Sequence, residues 1–274
     1  MKSLQRARHS RRVSWRLPSV FLGAMAAPLL AVAVPPGLAV ELDEAFLRIE
    51  INATDGDVGF HGKLDGEAWR EMEIKSPQGR NIYEVEGGGA VRRQGLTENF
   101  FESDEPTCEE QPLRAFLRRF PEGTYRFKGR TIDDKNLKGE ADLSHALPAA
   151  PDVSGFDGSE FAPGDLVVIV WAPGTDLGKC HDQELVDEGV IPDPGTVPVD
   201  GWELAVEPDE DQREALGLPL RVFSIQLLSG QLSATVPPEY LQQHVDAGIT
   251  TFKFEVGAKA GENQTFSEGT FTVQ

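Results

Sequence analysis

Along the second half of the chain, apolar residues recur at every second position between short polar turns. Val167, Ile169 and Trp171 alternate in one segment, Trp202, Leu204 and Val206 in a second, and Phe223, Ile225 and Leu227 in a third. Leu232, Ala234 and Val236 follow, then Phe252, Phe254, Val256 and Ala258, and last Phe266, Phe271 and Val273. A period of two places each set on one face of a strand, and several such strands in succession predict two packed sheets. In the first half, Phe46 to Ile51, Val58 to Leu64, Trp69 to Ile74 and Ile82 to Val85 read as strands. Thr124 to Thr131 and Leu137 to Leu143 predict a hairpin over the turn Asp133-Asp134-Lys135-Asn136. One short helix is expected over Leu113 to Phe120, ended by Pro121. Prolines 148 and 151 bracket two alanines and force extended backbone, a stiff linker. The pattern therefore predicts an all-β chain: a leader over 1–39, an N-terminal β-sandwich-like domain over 40–147, a linker at 148–151, and a second sandwich over 152–274.

The second of these domains resembles a fibronectin type III domain across residues 151–274. Trp171, in Leu166-Val167-Val168-Ile169-Val170-Trp171, matches the family's buried tryptophan, and Trp202 its next core aromatic. Leu241, then Phe252, Phe254, Val256 and Ala258 with Gly261 in the turn, match the late pattern. Two departures stand out. Phe252 occupies the position of the family's corner tyrosine, so that hydroxyl is missing, and residues 174–198 form an insertion longer than the family carries. The resemblance implies a sandwich and no particular activity. In the first half, Gly123-Thr124-Tyr125-Arg126-Phe127 is similar to secreted bacterial Ig-like modules.

Charge alters this picture at the chain's start. The first 16 residues carry six basic groups and no acid, and Leu17 to Val34 carries no charge at all. Gly37-Leu38-Ala39 supplies small residues before an acidic stretch, so the order is that of a cleavable signal peptide ending at Ala39. An apolar run of about 18 residues also approaches a membrane span, but Pro18 and Pro28 break its helix. Ser10-Arg11-Arg12-Val13-Ser14 resembles a twin-arginine signal with Ser14 out of place; an ordinary basic leader explains it too. Without the leader, 45 acidic and 20 basic residues remain, a net charge of 20 − 45 = −25. That field disfavours nucleic acid and anionic membranes. The address expected is secreted or periplasmic.

In such a compartment Cys108 and Cys180 either pair, stapling the two halves, or stand as separate thiols. Cys180-His181-Asp182 holds the residue types of a catalytic triad, but neighbours on one loop rarely converge. No His or Cys pair has zinc-ligand spacing. The best candidate for chemistry is Asn52-Ala53-Thr54-Asp55-Gly56-Asp57-Val58-Gly59. Alternating carboxylates around glycines direct oxygens at one hard cation, and Asp55 and Asp57 would ligate calcium, with Glu98, Glu102, Asp104 or Glu105 completing the shell. A plain Asx-rich turn between two strands explains the same residues. Trp69, Tyr83, Phe100 and Phe101 make either a sugar platform or core, and Gly87-Gly88-Gly89 a flexible turn. The function expected is an exported, non-catalytic binding or structural module for a protein or polysaccharide partner. The alternative is a calcium-dependent or hydrolase-associated accessory.

Overall fold

In β2 (Glu44–Asn52), Leu47, Ile49 and Ile51 are fully buried and the residues between them are not, so the period of two does in space what it does in sequence. The computed structural model describes residues 39–274; the expected leader lies outside the described residues except for Ala39. β1 (Val40–Glu41) precedes β2, and β3 (Asp57–Lys75) returns antiparallel to it. Two strands were expected where β3 runs unbroken for 19 residues. Asp65-Gly66-Glu67-Ala68 reads as a turn, yet Asp65 still pairs with Glu44, and the irregularity is taken up as a register shift between Asp65 and Trp69. The two halves of β3 then have different neighbours. β5 (Leu96–Glu102) lies against the first; β4 (Asn81–Glu86) and β6 (Gly123–Thr131) lie against the second.

The hairpin of β6 with β7 (Asn136–Leu143) forms as expected, its turn using a left-handed Asp134. α2 (Leu113–Arg119) buries Leu113, Phe116 and Leu117, one face of a helix of about two turns. The glycine run at 87–89 is not a free turn: it leads into α1 (Gly89–Gln94). Trp69 is core, packed with Tyr125 and Phe127, while Tyr83 stacks on Phe101 at 4.2 Å and only Phe100 projects outward.

The second half contributes β8 (Ser159–Phe161), β9 (Val168–Val170), α3 (Gln183–Asp187), β10 (Gly201–Pro208), α4 (Glu210–Ala215), β11 (Phe223–Leu228), β12 (Ser233–Thr235), α5 (Pro238–Val245), β13 (Thr251–Ala260) and β14 (Asn263–Val273). β9 pairs with β12 as a separate two-stranded sheet facing the larger one. Between them lie Ile169, Trp171, Trp202, Leu204, Phe252 and Phe254, with the two tryptophans edge to face at 6.1 Å. Tyr240 of α5 donates its hydroxyl toward the carbonyls of Val206 (2.8 Å) and Arg221 (2.9 Å). Phe223 and Leu227 pack half-buried against this core as expected, but Ile225 between them is exposed, because β11 is an edge strand.

The core divides into two clusters, one per half. Three connections join them. β14 pairs parallel to β2, so one twelve-stranded network runs through both halves, nine strands in the order β1-β7-β6-β3-β2-β14-β13-β10-β11 with β4 and β5 paired to β3 and β8 to β14 beside that path. The buried Asn263 side chain accepts from the Ile49 amide (2.9 Å) and donates to the carbonyls of Ser144 (2.9 Å) and Ala146 (3.1 Å). The insertion at 174–198 turns back to the first half, where Leu177, Leu185 and Ile191 enter its core and Cys180 bonds to Cys108, 72 residues away. Residues 148–151 run beneath this insertion, with the Ala149 and Ala150 amides bonded to Pro194 and Asp176.

Candidate functional site

The loop from Asn52 to Asp57 connects β2 to β3 at the place where the three connections meet. Asn52 Oδ1 accepts from the amides of Thr54 and Asp55, both at 3.1 Å, which makes the Asx turn that the sequence allowed. Gly56 has a φ of 81°, a conformation costly for a residue with a side chain. The loop is covered on both sides. Its Gly56 carbonyl accepts from the Cys108 amide (2.7 Å), and its Ala53 carbonyl from Lys179 (3.1 Å), so the disulfide closes over it. From the second half, Glu268 of β14 bonds through its amide to Thr54 Oγ1 (2.9 Å) and through its carboxylate to the Asn52 amide group.

A cavity of about 260 Å³ opens beside this loop. Asp55, Asp57, Glu50 and Glu105 line it from the first half; Glu255, Glu268 and Lys253 line it from the second. Lys253 is bonded to Glu268 (2.9 Å) and Glu255 (3.1 Å), and although burial pulls its pKa down those two carboxylates carry it above the usual lysine range. The remaining acids have less compensation. Burial, followed by the charges of Glu105, Asp55 and Glu268, pushes the Asp57 carboxyl up to about 6. Burial likewise raises Glu50, against the opposing pull of His61 and Arg48.

His61 sits behind these acids with 4% of its surface exposed. Its Nε2 lies 2.8 Å from Glu105 and its Nδ1 3.6 Å from Glu50, and the ring is edge-on to Phe100. Burial draws the imidazole pKa down, but the hydrogen bond to Glu105 and the charges of Glu50, Glu105 and Glu102 outweigh it, so it stands above the ordinary value. Gly59 makes the arrangement possible: a Cβ there would collide with the Glu105 carboxylate and the His61 ring. Glu50, His61 and Glu105 are the one group of three potential metal ligands close enough to share an ion among the described residues.

Of the residues singled out in sequence, Asp55, Asp57 and Glu105 are brought together. Glu98 is directed away, to Lys63 at 3.3 Å. Glu102 acts at a distance through its charge, and Asp104 does not line the cavity. The sequence reading missed Glu50, His61, Lys253, Glu255 and Glu268. Glu50 in β2 and Lys253 and Glu255 in β13 alternate with core residues, and that regular polar face was the available signal; His61, buried in β3, and Glu268, between Ser267 and Gly269 in β14, carried none. The Cys180-His181-Asp182 run is taken up structurally: Cys180 is in the disulfide, and Asp182 caps α3 by accepting from the Glu184 amide at 3.0 Å.

Fold and site together define an all-β chain, bridged by a disulfide, with its potential ligand groups gathered in one acidic cavity. No protein-family model matches the chain, and no curated protein matches it. Three solved structures are similar at a low level. A tetra-tandem repeat from the extending region of a large adhesion protein is 11% identical, over 83% of this chain and 49% of its own, with a TM-score of 0.21. The BSP domain of a biofilm-associated protein is 12% identical, over 84% of this chain and 29% of its own, with a TM-score of 0.22. Immunoglobulin domains 1–5 of Sidekick-1 are 11% identical, over 85% of this chain and 38% of their own, with a TM-score of 0.20. The chain thus spans about half the length of the first and less than a third of the second. No helix among the described residues is long and apolar enough to cross a membrane.

Proposed function

We propose that the chain is an exported, non-catalytic binding or structural module, its second half a fibronectin type III-like sandwich. Its partner is a protein or polysaccharide of the cell envelope or extracellular space. The observation that carries this reading is the Cys108–Cys180 bridge between the halves, because such bonds persist in oxidising compartments and here the bond fixes two cores as one unit. The basic, then apolar leader agrees with that address. Pull-down from envelope extract and culture fluid tests it. Saturable capture of an envelope component is the expected result, and robust hydrolysis of envelope polymers with nothing captured would overturn the reading.

A second reading has its own support in the acidic cavity. Asp55 and Asp57, joined by Glu105 and by Glu268 from the second half, present hard oxygen donors across the junction, the donor set that calcium prefers. Calcium held there would add a fourth connection between the halves. Calorimetry with millimolar calcium decides the matter: measurable heat and a raised melting temperature are expected, both abolished in Asp57→Asn, and no heat removes this reading while leaving the first intact.

A further inference from the structure

Acidic residues are spread along the chain from Glu41 to Glu268, yet none occurs from Ala215 to Pro238. This run of 24 residues is more than twice the length of the next longest acid-free interval in that span, and its single charge is Arg221, held at 3.0 Å by Gln243 of α5. The same run contains Leu216, Leu220, Val222, Ile225, Leu228 and Leu232, six of the eleven large apolar residues exposed among the described residues. Leu228 is the most exposed of all, at 76%. At the centre of the run lies β11, which pairs with β10 on one side and ends the twelve-stranded network on the other. Edge strands are usually protected by charge, proline or a covering element, because their free amides and carbonyls will pair with another chain. β11 has none of the three along Phe223–Leu228.

We propose that β11 is an interface between two copies of this chain, paired antiparallel about a two-fold axis so that the sheet continues from one molecule into the other. The charge distribution selects this occupant. Two copies whose residues 40–274 carry a net charge of −25 repel one another over most approaches, and the acid-free strip is where contact escapes that repulsion. Antiparallel self-pairing sets strip against strip. Arg221, which precedes the strand, then faces its partner's uncharged Ser229-Gly230-Gln231 turn, so no like charges are opposed. Two-fold pairing joins the β11 edge of each copy to that of the other, so this interface closes at two molecules. The inference does not depend on the proposed module function, since a catalytic chain would present the same edge.

Sedimentation of residues 37–274, which contain all the described residues and fall in one compact unit, tests it. The expected result is a mass that doubles with rising concentration and goes no higher, with pairing tightened by added salt as the like charges are screened. Leu228→Lys, at a side chain too exposed to harm the fold, should weaken the pairing by about tenfold or more. Val91→Lys, at an equally apolar but distant exposed site on α1, should leave it unchanged. A mass that stays monomeric at every concentration overturns the proposal. So does open-ended polymer growth, or equal sensitivity to the two substitutions.

Discussion

Asp57 takes up a proton more readily in the folded chain than in the unfolded one, its pKa standing near 6 against an ordinary value of 3.8. The stabilisation from that uptake is fully present below the unfolded value and is lost as pH rises through the folded one. At neutral pH the ionised Asp57 therefore works against folding, and Asp57→Asn should stabilise the protein by about 1 kcal/mol in chelator, after discounting for its partial exposure. Urea unfolding at pH 7.5 and again near pH 4 checks this: the advantage should be present at the first and absent at the second. Asn263 works in the opposite sense. Asn263→Ala leaves the Ile49 amide and two carbonyls without their partner at a buried position, which costs about 3 kcal/mol on the same assay. These residues also show what a sequence reveals of a site. Asp55 and Asp57 stood out because glycines surround them in a loop. Glu50 and Glu268 did not, since a carboxylate on the outer face of a strand looks like any solvated residue until another strand is laid beside it.

At the scale of elements, the disulfide encloses 72 residues that include β6, β7, β8 and β9. Loop-closure entropy for a ring of that size gives about 4 kcal/mol. Replacing both cysteines by serine should lower stability by that amount, and reductant should lower the parent to the same level while leaving the double variant unmoved. Urea titrations with and without reductant give the comparison. Elements with a clean period of two, such as β2, β6, β10 and β13, were legible because one face is apolar without interruption. β5 was not, because Thr97, Glu98, Asn99 and Glu102 break its apolar positions while its partner β3 supplies the register. The unity of β3 was hidden for the complementary reason: Asp-Gly is a turn signal locally, and only pairing on both sides holds those residues extended. The insertion at 174–198 was recognised as surplus to a sandwich, but its role as a strap over the opposite core depends on long-range contacts that no local pattern encodes.

At the scale of the whole molecule, residues 40–274 carry 20 basic and 45 acidic groups, 20 − 45 = −25, within a single unit, and the repulsion acts against the compact state. Added monovalent salt should raise the melting temperature, most of all at alkaline pH, where Asp57, Glu50 and His61 have all lost the protons that the fold retains at lower pH. A melting temperature indifferent to salt would show that the ion pairs along the sheets already balance the field. The two apolar clusters lie within one compact unit, and their joining through β2 and β14 was not readable, because paired residues 214 apart in sequence, such as Glu50 and Gln264, carry no mutual signal.

That joining has a mechanical consequence. β2 and β14 run parallel, with one close to the start of the described chain and the other at its end. A pull on the two ends drags these strands in opposite directions along their length, which loads their hydrogen bonds together instead of opening them one after another. Under tension the junction acts as a shear clamp, and extension requires the two cores to part before either unravels. In a pulling experiment from residues 40 and 274, the first rupture should be the highest peak of the trace, and Asn263→Ala should lower that peak before any other.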